Sequence, residues 1–188
     1  MNDNIIASIR QSLSDTFADV DAWFDIDKLL MDYRPNKTGW TIRQILEHIT
    51  LTNYYLLILI KKGTIKSLNK AAKMNVYSVQ ADYKIDWLNL NTIAVHNSFV
   101  WSRPQHMEPT GNVELSETRQ KMKDQLIQCL SCLNQMPNGE GALYKTMMSV
   151  NNLGKIDVYH YILFLGQHAK RHISQMENIE RNFKKDQI

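Results

Sequence analysis

The sequence predicts an all-α fold, an antiparallel bundle of four long helices in a single domain, residues 1–188. Three observations carry that prediction. Four separate stretches repeat their apolar residues with helical spacing. With only 7 Gly and 4 Pro, the chain is too poor in turn formers for a β-sandwich or a Gly-rich nucleotide fold. Its plentiful Leu, Ile, Met, Lys and Gln favour helix. A chain of this length buries roughly 70% of the surface its unfolded form exposes, enough for a true core.

The first predicted helix covers roughly residues 3–31, with Ile6, Ile9, Leu13, Phe17, Val20, Trp23 and Phe24 on one side. Pro35 and Gly39 punctuate its end. The second starts near Thr41, where Thr41 and Gln44 have the spacing of a capping box. Ile42, Ile45, Ile49, Leu56 and Ile60 mark its buried face, and Lys61, Lys62 and Gly63 predict its end. The third runs from about Ser116 to Met136, on Leu115, Met122, Leu126, Cys129 and Leu133. The fourth runs from about Ile156 to Phe183, with Val158, Ile162, Leu165, Ala169 and Met176 on its stripe. Lys170, Arg171, Ser174 and Glu177 are placed on its opposite, polar face. Four such helices make a bundle the natural architecture. Between the second and third lies the exception, a long insertion at residues 64–114 read as a crossover with a short helix in it.

Composition excludes several functions. The 22 Lys and Arg nearly cancel the 19 Asp and Glu, leaving +3, far from the concentrated charge of nucleic-acid binders. The longest apolar run, Tyr54–Ile60, is too short for a membrane span, which needs ~20 residues. The N-terminal residues lack the pattern of a signal peptide, so the expectation is a cytoplasmic protein. Cys129 and Cys132 form one CxxC inside a helical pattern, without a second ligand pair, and are read as reduced core cysteines.

The histidines carry the chemistry. His168 and His172 are four apart, so their directions differ by roughly 40° and both leave one flank of the fourth helix. His48 lies on the corresponding flank of the second helix. Three imidazoles converging in a bundle make a metal site, the i, i+4 pair presetting two ligands and a facing helix supplying the third. Spacing alone leaves the alternative that these are satisfied core histidines. Ala169 follows His168 where a zincin motif needs Glu, which disfavours protease chemistry. His96, His106 and His160 read as surface or hydrogen-bonding residues. Gln175, one turn past His172, and Tyr55, two turns past His48, are candidates for lining a pocket, or for helix packing. Trp101 and Arg103 are placed by position over its open side. No GxGxxG, P-loop, GxSxG or DxDxDG pattern occurs.

Three stretches resemble the DinB/YfiT-like superfamily of metal-binding helical bundles: TGWTIRQILEHI at 38–49, WSRPQHMEPTG at 101–111 and GKIDVYHYILFLGQHAKRHISQMENI at 154–179. The specific motifs cover about a quarter of the chain; the first and third helices match only as amphipathic helices. The resemblance implies an up-down-down-up four-helix bundle, often a homodimer. It also implies a metal triad of His48, His168 and His172, with nickel or zinc as the expected ion. Relatives include thiol-dependent transferases, isomerases and hydrolases. The expected function is therefore a metal-dependent enzyme that activates a small thiol or water, with a small-molecule substrate and neither nucleic acid nor membrane as partner. The alternative is a non-catalytic metal- or ligand-binding bundle in a stress or damage response.

Overall fold

The computed structural model describes residues 3–73, 83–100 and 104–187. The helices are α1 (Asp3–Ala22), α2 (Lys28–Asp32), α3 (Ile42–Ala71), α4 (Trp87–Ala94), α5 (Leu115–Asn134) and α6 (Val158–Asp186). Four long ones, α1, α3, α5 and α6, form the bundle, and the fold is all-α in character. The sequence reading did not foresee the short hairpin of β1 (Lys145–Met148) and β2 (Gly154–Asp157), paired antiparallel from Lys145↔Asp157 to Met148↔Gly154. Two four-residue strands are too short to show a period.

Side-chain contacts between helices orient the bundle. Arg119, at the start of α5, binds Asp21 near the end of α1, and Arg10 near the start of α1 binds Asn134 at the end of α5, so these two helices are antiparallel. Gln125 reaches the Thr50 carbonyl and Lys61 binds Gln128, so α3 and α5 run the same way. A parallel pair forces the intervening chain back along the length of the bundle, which is why the insertion is long. Both α1 and α3 also pack on α6.

Two predicted boundaries are corrected. The first helix does not run to residue 31. It stops at Ala22, passes through a 3-10 turn (Trp23–Asp25) and an extended Ile26, and restarts as α2. Asp27 causes the restart: its carboxylate accepts from the Leu29 N–H at 2.7 Å, capping α2 instead of continuing α1. Gly63 does not end the second helix either, since α3 runs on to Ala71. A Cβ at Gly63 would lie 2.8 Å from Val158 Cγ2, so this glycine lets the start of α6 approach closely. Residues 64–71, assigned to the crossover, therefore belong to α3.

The crossover carries α4, which packs on α6. A buried histidine ties it down just before that helix. His160 Nδ1–H donates to Asp157 Oδ1 at 2.8 Å, and the Asp86 N–H donates to His160 Nε2 at 3.1 Å. Tyr83 adds a hydroxyl bond to the same Asp157 oxygen at 3.2 Å. Ile9, Ile45, Ile49, Ile60, Leu133 and Phe164 fill the centre of the bundle. Cys129 and Cys132 are buried and free, as read, and burial pushes the Cys129 thiol up.

Candidate metal centre

The site is built on the first turns of α3 and the middle of α6. Thr41 Oγ1 accepts from the Gln44 N–H and Gln44 Oε1 accepts from the Thr41 N–H, both at 3.2 Å, which is the capping box the spacing predicts. It starts α3 so that His48, nearly two turns on, faces α6. On α6, His168 and His172 point back. One ligand nitrogen from each of the three histidines lies within 4.8 Å of the others, and all three residues are buried.

The surroundings prepare these rings as ligands. His48 Nδ1–H donates to the Met107 carbonyl at 2.7 Å, leaving Nε2 with its lone pair toward the cluster. His172 Nδ1–H donates to Gln175 Oε1 at 2.9 Å, with the same result. His172 Nε2 then sits 3.1 Å from His168 Nε2. Two lone pairs repel at that distance, so a proton or a cation has to lie between them. Burial, then the neighbouring His48, pulls His172 down to about 3. Burial, then His172 and His48, holds His168 well below the ordinary imidazole range. Both rings are thereby kept in the neutral form that ligates metal. Donor type, neutrality and convergence all fit a divalent ion.

Residues absent from the sequence reading complete the frame. Glu47, beside His48 and buried, accepts from the Thr110 N–H and hydroxyl at 3.0 Å each and from the Gly111 N–H at 2.6 Å. That clamp holds the segment whose Met107 carbonyl orients His48. Gly111 has φ +77, and a Cβ there would lie 3.1 Å from Gln44 Cγ, so glycine is required. The Trp40 ring stands 4.8 Å from the His48 ring.

The triad opens onto a cavity of about 470 Å³. Tyr55 and Gln175 both line it. Trp101 and Arg103 lie outside the described residues. His96 lines the cavity, while His106 stacks on Tyr55 with centroids 4.3 Å apart and His160 is held in the buried tie before α4. Arg171 is a correction. It does not sit on the polar face of α6 but is 6% exposed and lines the cavity. Its position three residues after His168 puts it about 60° from that histidine on the side away from His172, a signal the helical period contains.

The DinB superfamily model matches residues 12–176. The chain belongs to the DinB superfamily. No curated protein and no solved structure matches it. In this DinB-superfamily chain the match runs from α1 into the last turns of α6, so it takes in all three histidines. The cluster they form can hold a divalent metal ion. Among the described residues no helix is long and apolar enough to cross a membrane.

Proposed function

We propose that the protein is a metal-dependent enzyme in which His48, His168 and His172 hold one divalent ion, nickel or zinc, and the adjoining cavity receives a small thiol or water as nucleophile. One observation carries this reading: a three-histidine cluster, two of its rings held neutral by burial, opens onto a cavity rather than being enclosed. Catalytic sites leave coordination positions free, whereas structural sites are filled by protein ligands. When bound, the ion supplies positive charge that favours the deprotonated form of a thiol or water. The chain's own residues do the rest. Gln175 and the Met107 carbonyl fix the tautomers of His172 and His48, Glu47 holds the segment bearing Met107, and Trp40 screens the His48 ring from water. A thiol transferase and a hydrolase share this arrangement; the cytoplasm, where low-molecular-weight thiols are reduced, suits the first.

A second reading, a non-catalytic binding bundle acting in a stress or damage response, is favoured by one feature. No aspartate or glutamate is among the described residues that line the cavity, so no carboxylate stands ready as a general base. Elemental analysis of the purified chain tests the site. The expected result is about one equivalent of nickel or zinc, lost in His168→Ala; sub-stoichiometric metal unchanged by that substitution overturns it. A screen of common thiols against electrophiles then separates the readings, and a clean negative on loaded protein favours the binding bundle. A homodimer is part of the same proposal, supported by exposed apolar side chains such as Tyr54 and Ile65 on α3. Sedimentation as a 21.9 kDa species at micromolar concentration would count against it.

A further inference from the structure

Besides the triad, two charged or titratable side chains on the cavity wall stand out, and both come from where α4 ends against α6. Arg171 is almost fully buried, and its Nη1 donates to the Val95 carbonyl. Its guanidinium lies 5.4 Å from the centre of the Phe99 ring. It therefore braces the turn at 95–99, which Ser98 closes from inside by donating to the Thr92 and Val95 carbonyls. Asn97 in that turn adopts φ 62, the left-handed backbone that Asn tolerates better than most residues. The turn presents His96 to the cavity. His96 Nδ1 is shielded from solvent and has no hydrogen-bond partner among the described residues. Such a buried polar atom is costly unless something satisfies it.

The charge pattern is one-sided. Arg171 remains charged at every physiological pH, and burial first, then the nearby Arg171, holds His96 below the ordinary imidazole range. No acidic residue is among the described lining residues to offset it. The rest of the wall is largely apolar, with Trp40, Leu56, Leu59, Met148, Val150 and Phe164.

We propose that the cavity selects a small organic anion with an apolar body, Arg171 meeting its carboxylate and His96 adding a hydrogen bond beside it. This rests on the reading of the cavity as the substrate site, and it names the class of substrate. It does not depend on the ion, because Arg171 supplies the charge.

The test uses two probes of equal shape, phenylacetate and phenylacetamide, in ligand-observed NMR titrations of the 188-residue chain stripped of metal by a chelator. The expected result is a preference for phenylacetate of about tenfold, the ratio one charge-assisted hydrogen bond supplies. Arg171→Gln should bring the preference within about twofold while leaving phenylacetamide binding unchanged, and Arg171→Lys should keep it. His96→Phe should weaken phenylacetate by about fivefold, the worth of one ordinary hydrogen bond. Equal affinity for the two probes, or no saturable phenylacetate binding at millimolar concentration, overturns the proposal. So does an equal loss of both probes in Arg171→Gln with no preference retained in Arg171→Lys. A preference that appears only after zinc is added overturns it too, and leaves the triad standing. A preference in protein that never binds zinc supports it, and removes the metal reading instead.

Discussion

Two groups of buried histidine lie eight residues apart on α6, the second joined by His48 from α3, and they do opposite things. Near the start of α6, His160 has a carboxylate on one ring nitrogen and a backbone N–H on the other. Both nitrogens are satisfied by protein, and the ring works as a fastener for the crossover. Two turns further on, His168 and His172 meet His48 from α3. His48 and His172 give their Nδ1–H groups to the Met107 carbonyl and Gln175, Thr52 Oγ1 stands 3.5 Å from His48 Nε2, and one nitrogen from each of the three rings lies within 4.8 Å of the others. Residue type and burial are alike in the two places. What differs is where the second nitrogen faces: His160 turns its Nε2 to the backbone of the crossover, whereas the triad's nitrogens converge on one another, the arrangement that can hold a metal.

The largest expected effect breaks the triad. His168→Ala should reduce bound metal from about one equivalent to near zero, and it should abolish the thermal stabilisation that added zinc gives the parent chain. At free metal of about 100 times Kd that stabilisation is about 2.7 kcal/mol, read by a melting curve with and without chelator. The same substitution should leave the fastener intact.

Next in size is the fastener itself. Asp157→Ala removes the acceptor for His160 Nδ1–H and Tyr83, and also the cap that accepts from the His160 N–H at 3.0 Å. The loss should be about 3 kcal/mol in urea unfolding, with metal stoichiometry unchanged. A fall in metal content of the folded variant would show that the two groups are coupled.

The pH dependence sharpens the contrast further. His172 is pulled down to about 3 in the folded chain, against 6.5 for the ordinary ring. The unfolded state therefore binds the extra proton first. Stability of the metal-free protein should be complete above pH 6.5 and be lost as pH falls toward 3. Between pH 7.5 and pH 5, His172 alone accounts for about 2 kcal/mol. Urea unfolding at those two pH values checks this, and His172→Gln should flatten the slope. A pH-independent midpoint in the parent chain would sink the assignment of a buried neutral ring.

The smallest effect is on orientation. Gln175→Ala frees the His172 ring without touching a ligand, and should weaken zinc binding by about tenfold in a competition titration. Unchanged affinity would mean that helix packing alone orients the ring.

Much of this was legible in the chain. The periods of Ile45, Ile49 and Ile60, and of Ile162, Leu165 and Ala169, located the two helices that bear the site, and the i, i+4 spacing of His168 and His172 put both rings on one flank. The capping box at Thr41 and Gln44 was readable because it is a contact within one turn. What was not legible came from distant partners. Gly63 reads as a helix stop until Val158 is seen against it. Arg171 reads as solvent-facing until α4 and its turn cover it. Glu47, Met107 and the His160 fastener all act across more than fifty residues of sequence, and no local pattern announces them.

The sequence by itself therefore determined the helices, their apolar faces and which imidazoles share a flank, because those follow from a repeat of 3.6 residues and from caps that bond within a turn. Only the tertiary structure decided which histidine ties down the crossover and which three converge in a cluster that can hold a metal. That choice depends on what stands opposite each ring nitrogen, and here the opposite group comes from a segment folded in from elsewhere or from an adjacent turn of the same helix.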